Sequence, residues 1–508
     1  MSFTETCQRI VRDPLLSPAQ KNRALALAAE NALPYPELPA AVQDAMAQGM
    51  LCDMFEGHAP YKPRYVLPDY EKFLTQGSAW LELAAPRDFD EALDALRILY
   101  HHVPSVTGMP VWLGRLDQLL LPFVGELDDE TLHRKLKAFW IYLDRVLPDA
   151  FMHVNIGPDD NWICRLILRI DNELKQVAPN LTFFHDPEQT PDDLLLLAVK
   201  NIAECSKPHI ANYPVHRDTF DQRGFGIVSC YNALPQAGGA NTLVRISLKR
   251  VAEQAQGIDD FLGCLLPHYC RLTSQLIAVR AAFLHEESGF FDSFLVKEGL
   301  LDEDRFVPMF GIYGMAEAVN ILMDKENLPG RYGHDEEANQ LGYRISAQLS
   351  EYVTATPQAH AWGGHALLHS QGGLSIDVAV TPGVRIPYGQ EPDPASHVLA
   401  LAPHHGYYHS GISEILTLDL TIRQNPQALL QLCKGAFALG MREFTANVAD
   451  SDLVRVTGYM IRKRDVVRFA AEGSRLQTTS LGAEASELTG IRQRAPRVVA
   501  IETLLNEH

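Results

Sequence analysis

No run in this 508-residue sequence stays apolar for the roughly 18 residues that a bilayer-spanning helix needs. The longest apolar stretches, such as Leu194 to Val199, have the length of core segments. The opening MSFTETCQRI lacks the cationic stretch and apolar run of a secretory leader, so a cytoplasmic protein is expected, off the membrane. Positive charge is also short. With 44 Lys and Arg against 63 Asp and Glu, the net charge is -19, which argues against nucleic acid or an anionic membrane as partners. Paired cysteines are missing too: the 8 cysteines contain no CxxC or CC, and no zinc-ribbon or iron–sulfur spacing. Neither a disulfide framework nor a metal site is expected. There is no low-complexity tract and no internal repeat.

What is present is the composition of a globular protein, 46% hydrophobic and 21% charged, in a chain long enough for one large core with appended pieces. Residues 1–95 read as a helical and connecting region with Pro-rich breaks (LPYPELPA, HAPYKPRYVLPDY). From 96 to 440, apolar segments alternate with helix signals and Gly/Pro loops, which predicts a mixed α/β core. In TPDDLLLLAVKNIAE, Thr190 is placed to cap a helix whose first turn holds Pro191 and Asp193. Leu272, Leu276, Val279 and Phe283 recur at helical spacing, and SIDVAV (375–380) reads as a strand. After about 440 the chain becomes a short, charged and moderately apolar C-terminal unit, 441–508.

That unit contains LVRVTGYMIRKR. Alternation puts Val454, Val456, Gly458 and Met460 on one face of a strand, with a glycine on the apolar side. A glycine there ordinarily marks a bulge or a close approach by another backbone. It also has a chemical use. A radical on a glycine Cα is delocalised into the flanking amide nitrogen and carbonyl when the centre flattens, and a side chain would crowd the flat form.

RVTGY, with Gly458 standing 51 residues from the end (458 to 508 inclusive), resembles the C-terminal signature of glycyl radical enzymes, a family that includes pyruvate formate-lyase and anaerobic ribonucleotide reductase. Upstream, PNLTFFHDPEQTPDDLLLLAVKNIAECSKPHIANY (179–213) resembles the family's segment preceding its catalytic cysteine. GFGIVSCYNALPQAGGANTLVRISLKRVAE then places Cys230 where the family has that cysteine, at a loop tip followed by an Asn-containing helix. MFGIYGMAEAVN and TPGVRIPYGQEP also match family segments, and the likeness is greatest to the YjjI-type glycine radical proteins. The resemblance implies a ten-stranded α/β barrel of two parallel half-sheets with outer helices, inside which the Gly458 and Cys230 loops meet. It implies that a separate radical S-adenosylmethionine activase, carrying its own [4Fe-4S] cluster, installs the radical at Gly458. The chain itself then needs no tightly bound cofactor, works anaerobically, and is expected to be a homodimer acting on a small molecule. Gly458 would take hydrogen from Cys230, whose S–H bond is weak enough for near-thermoneutral exchange, and the thiyl would abstract hydrogen from substrate.

The departures bear on the reaction. Where dehydratase-like members carry a glutamate two residues after the cysteine, this chain has Asn232. Cys230 is flanked by Ser229 and Tyr231 rather than by a second cysteine, and no CxxC…CxxC site accompanies Gly458. Polar candidates for the pocket are His216, Asn241, His285, Glu286, Asp377 and the HHGYYH group with His404, His405 and His409. Elimination or C–C cleavage of a small oxygenated substrate is the first expectation. The alternatives are a nucleotide-reducing enzyme, suggested by GGANTLVRISLKRVA, and a non-catalytic radical-domain donor.

Overall fold

The computed structural model describes residues 2–14, 16–33, 35–53, 61–107, 111–146, 152–370, 380–412, 414–449, 451–455 and 460–472. Gly458, Asp377 and most of the strand expected over 375–380 therefore lie outside the described residues. The strands in chain order are β1 (Leu51–Asp53), β2 (Tyr65–Leu67), β3 (Trp112–Arg115), β4 (His153–Ile156), β5 (Asn180–His185), β6 (His209–Asn212), β7 (Phe225–Val228), β8 (Asn232–Pro235), β9 (Gly238–Ser247), β10 (Phe306–Tyr313), β11 (Leu367–Ser370), β12 (Leu416–Leu418), β13 (Glu443–Phe444), β14 (Ala446–Val448), β15 (Leu453–Arg455) and β16 (Met460–Arg462).

They build two five-stranded sheets. One has the order β13-β6-β5-β4-β3; the other runs β1-β9-β10-β11, with β2 also pairing β9. In the first sheet β3 to β6 are parallel, and their hydrophobic runs pack on both faces, as buried parallel strands do. In the second, β9, β10 and β11 are parallel, with Met309 opposite both Leu243 and Leu367. The two half-sheets are not wholly parallel: β1 and β2 run antiparallel to β9, and β13 antiparallel to β6. Nor do the described strands close into a ten-stranded barrel. Among the described residues, the sheets meet at one seam through a single parallel bridge, Val66 to Val111.

Two of these edges come from unexpected parts of the chain. The 1–95 region supplies β1 and β2, and the segment after 440 supplies β13. Helices cover the outer faces. Asp192–Cys205 buries Leu194, Leu195, Ala198, Val199 and Ile202 against the first sheet's core. Its N-cap is Pro191, without a side-chain cap; the Thr190 hydroxyl instead donates to the Pro158 carbonyl and accepts from the Asp186 amide. Helix Leu266–Glu286 buries Leu272, Leu276 and Ile277, while Val279 and Phe283 sit half-buried at the edge of its core stripe. Among the described residues, no helix is long and apolar enough to cross a membrane.

Candidate active site

Cys230 sits at the tip of a hairpin. β7 and β8 pair from Phe225–Pro235 to Val228–Asn232, leaving Ser229, Cys230 and Tyr231 as the turn. Ser229 and Tyr231 both take positive φ, 55° and 61°, an unfavourable region for residues with a Cβ. Such a turn persists only when its surroundings hold it. Here both faces of the hairpin are clamped. On one side the Asn155 side chain from β4 accepts from the Ile227 amide and donates to the Ile227 carbonyl, each at 2.9 Å, and Trp112 Nε1 holds the same Asn155 oxygen at 2.8 Å. On the other side the Ala233 amide donates to the Ser410 carbonyl. Gly411 is the close approach here: with φ 107°, a Cβ would fall 1.8 Å from the Tyr231 carbonyl. Gly226 is equally confined, since a Cβ would lie 2.4 Å from the Trp112 ring. The loop tip predicted from sequence is thus a hairpin wedged between two layers. The turn leads into strand β8 rather than a helix, because Asn232–Pro235 must run back along β7 before β9 begins.

The Cys230 thiol is buried, at 5% residue exposure. Arg385, also buried, lies within electrostatic range of it. Burial lowers the Arg385 pKa against the pull of Glu414, Tyr231 and Cys230, and Arg455 adds to the lowering. Arg455, fully buried, places its guanidinium 5.7 Å from the Tyr231 ring centre and donates to the Ser206 carbonyl at 3.0 Å. It is the last described residue before 456–459. The expected single strand LVRVTGYMIRKR is in fact two: β15 and β16 pair antiparallel with Arg455 opposite Met460, so the chain reverses between them. The two ends of the Gly458 segment are therefore fixed, one of them against the residue after Cys230.

Beneath the hairpin a file of polar side chains crosses four strands. His153 Nε2 lies 2.6 Å from Thr182 Oγ1, and Thr182 Oγ1 is 3.2 Å from His209 Nδ1. His209 Nε2 stands 3.1 Å from Glu443 Oε2, and His216 Nε2 is 2.9 Å from Glu443 Oε1. The residues come from β4, β5, β6, β13 and the short helix Tyr213–Arg217, and all are fully buried. The file touches both neighbours of Cys230. The Tyr231 ring meets the His209 ring edge-on at 4.6 Å, and the Ser229 backbone faces His153. Burial drives the His153 pKa down to about 3 and those of His209 and His216 well below their ordinary range. The same burial pushes the Glu443 carboxyl well above its ordinary range, against the opposing pull of Arg442. Burial thus favours the neutral form of each of these groups, the protonated carboxyl of Glu443 included.

The candidates read from sequence separate into three places. His216 belongs to this buried file. Asn241, His285 and Glu286 meet in a second cluster: His285 Nε2 lies 3.0 Å from Asn241 Oδ1, and Glu286 Oε1 is 3.2 Å from His360, whose carbonyl accepts from Asn241. His285 also contacts Glu303, which is half exposed, so this cluster reaches towards the surface. His404 is bound into the helical layer by Ser346 and Tyr332, at 2.8 and 3.0 Å. His405 accepts from the Arg442 amide. The HHGYYH run opens in a short 3-10 turn, Ala402–Gly406, that holds both His404 and His405. Among the described residues, no group of three or more His, Cys, Asp or Glu side chains is arranged to hold a metal ion. Sequence patterns do not single out His153, His209, Glu443, Arg385 or Arg455. Their common signal is a polar residue inside an apolar strand or beside the glycine motif, and each gains meaning only once the strands are side by side.

Cys230 is thus a candidate for cysteine chemistry: a thiol buried at a strained hairpin tip, with one anchored end of the C-terminal hairpin, Arg455, against its neighbour Tyr231. A family model described as "Glycyl radical enzyme YjjI-like" matches residues 16–497, and the chain belongs to that glycyl radical enzyme family. It is 61% identical over 502 residues to the uncharacterized protein YjjI of Escherichia coli (strain K12), covering 99% of this chain and 97% of that one. In fold it is similar to hydroxyproline dehydratase from Clostridioides difficile, solved with trans-4-hydroxy-L-proline bound, with a TM-score of 0.72 at 12% identity over 96% of this chain and 88% of that one. It is also similar to the anaerobic ribonucleotide reductase from Thermotoga maritima in complex with dATP and CTP, with a TM-score of 0.67 at 12% identity over 93% and 89%.

Proposed function

We propose that the chain is an anaerobic radical enzyme in which a Gly458 radical, installed by a separate radical S-adenosylmethionine activase, is relayed to Cys230 to attack a small oxygenated substrate. The observation that carries this reading is the contact of Arg455 with Tyr231, which ties the glycine-bearing hairpin to the cysteine-bearing one. Hydrogen moves from the Cys230 thiol to the Gly458 radical, the thiyl takes a substrate hydrogen, and the substrate radical loses water or breaks a C–C bond before hydrogen returns. Burial of Cys230 supports the scheme, because a thiyl must be kept from solvent and oxidants. Elimination is favoured over acyl transfer because Cys230 has no neighbouring cysteine to carry an acyl group, whereas buried histidines contact both of its neighbours, His209 at the Tyr231 ring and His153 at the Ser229 backbone.

The nucleotide-reducing alternative draws on GGANTLVRISLKRVA. That stretch is β9, buried along its strand, followed by helix Leu248–Gln254, and its burial weighs against a nucleotide-binding surface there. The donor alternative is disfavoured by the several hundred residues built around Cys230. Anaerobic activation and then a metabolite screen test the reading: Cys230→Ser retains the glycyl radical and loses turnover, and turnover that survives in that variant contradicts it.

A further inference from the structure

A cavity of about 500 Å³ opens where the first sheet meets the root of the cysteine hairpin. Helices Tyr70–Gln76 and Leu116–Leu120 flank it, and the buried Trp112 of β3 forms its inner wall. It reaches the surface past Glu71 and Asp159, both exposed. Arg115 ends β3 and Asp159 follows β4 by three residues. The cavity therefore lies outside the carboxyl ends of two parallel neighbours, where α/β sheets commonly take their ligands. Its polar wall is held in place. Fully buried Asp117 accepts from the Gly157 amide at 3.1 Å and from the Asn161 side chain at 2.7 Å, which pins the loop carrying Asp159. Asp159 Oδ2 in turn accepts from Arg115 Nη2 and Gln118 Nε2, each at 3.1 Å. The Arg115 guanidinium also stands 5.9 Å from the Tyr213 ring centre.

Among the described residues that line the cavity, Arg115 is the one cation, and Asp159 already pairs it. What remains is negative. The Glu71 carboxylate and Asp159 Oδ1 have no hydrogen-bond partner among the described residues, and the rings of Trp112 and Phe123 line the same space. An anion would be repelled here, and a neutral molecule would cover the carboxylates without pairing them. An ammonium suits both the carboxylates and the aromatic rings, and the net charge of -19 favours its approach. Gln118 Oε1 and Arg115 Nη1 remain for hydroxyl groups. We propose that this cavity binds a hydroxylated primary amine of about amino-sugar size, and that its occupancy steadies the cysteine hairpin. The ligand is an effector and not the substrate. Trp112 meets the hairpin at Gly226, where a Cβ would fall 2.4 Å from its ring, and Gly226 is about 13 Å of extended chain from Cys230, too far for hydrogen abstraction. The link to the hairpin runs through Trp112 Nε1, which donates to Asn155 Oδ1 at 2.8 Å, and through the Asn155 side chain, which holds both backbone groups of Ile227. The site stands whether or not Gly458 carries a radical.

The test needs neither activation nor substrate. The full-length chain is titrated by calorimetry at mildly acidic pH with glucosamine, glucose and glucuronate, which share a scaffold and differ in charge. Glucosamine is expected to bind saturably and about tenfold or more tighter than either of the others. The double substitution Glu71→Gln/Asp159→Asn leaves Arg115 as an unpaired cation. It should weaken glucosamine about tenfold and turn the preference towards glucuronate, a reversal that loss of structure would not produce. Both side chains are exposed, so the variant should melt with the wild type. Absence of glucosamine binding overturns the site, as does wild-type binding of glucose or glucuronate as tight as that of glucosamine. Unchanged glucosamine affinity in the double variant overturns it too. Hydrogen–deuterium exchange reads the effect on the hairpin: saturating glucosamine should slow exchange across 225–235 several-fold in the wild type. Exchange there that is unchanged at saturation overturns the link to Cys230.

Discussion

A single buried residue can be asked for its charge state by replacing it with a neutral isostere. Glu443 is fully buried between two imidazoles, and that burial favours its protonated carboxyl against the pull of Arg442. Glu443→Gln then removes no charge, and its unfolding free energy should change by less than about 1 kcal/mol. A buried carboxylate stripped of its charge beside a cation would instead cost about 3–5 kcal/mol. Urea titration at neutral pH separates the two outcomes. Cys230 and Gly458 can be proposed from sequence because the radical chemistry of the family calls for those residue types within a recognisable local pattern. His153, Thr182, His209 and Glu443 cannot, because they lie on separate strands up to 290 positions apart and meet only through parallel register and an antiparallel edge (Thr182 opposite His209, Glu443 opposite Ala211). His216 can be named from sequence, but its partner cannot.

At the scale of elements, the cysteine hairpin and the C-terminal hairpin are each held by few anchors. Asn155 pairs with both backbone groups of Ile227. Asn155→Ala leaves those groups unsatisfied in a buried place, and is expected to lower stability by about 1–3 kcal/mol, measured by chemical denaturation. The second hairpin rests on Arg455 at the Ser206 carbonyl and on Arg462 at the Lys175 carbonyl. Ser206 and Lys175 are the left-handed C-caps of helices Asp192–Cys205 and Trp162–Leu174, where the negative ends of two helix dipoles favour a guanidinium. Arg462→Ala should therefore raise the rate of limited proteolysis within 453–462 several-fold while leaving the global unfolding midpoint almost unchanged. Elements with strong local signals, such as helix Asp192–Cys205, are readable from the sequence. Thr190 departs from its expected capping role because Asp186 and Pro158 compete for its hydroxyl, a tertiary effect. The reversal between β15 and β16 is hidden because alternation alone does not report where a chain turns back.

For the whole molecule, the same burial that encloses the site sets its acid stability. His153 and His404 are depressed to about 3, and His209, His216 and His405 lie well below the ordinary value of 6.5. Between these values and 6.5 the unfolded chain binds protons that the folded chain does not. The folded state loses about 1.4 kcal/mol per imidazole for each pH unit in that window. Glu443 acts with the opposite sign, its contribution fading as pH rises above its ordinary value of 4.5, and offsets one imidazole. Unfolding midpoints should thus fall steeply as pH drops from 7 to 5, and a flat profile would show that these histidines are charged in the fold. The α/β class is visible in the alternation of apolar segments. The division into two mixed sheets is not, since β1, β2 and β13 are edge strands of two or three residues that carry almost no periodic signal. The central claim, that this architecture serves a radical stored at Gly458, has one direct measurement: EPR of the anaerobically activated chain beside its Gly458→Ala variant. A doublet from the surviving α-hydrogen in the wild type, absent from the variant, is the predicted result; the same doublet in Gly458→Ala would contradict the account.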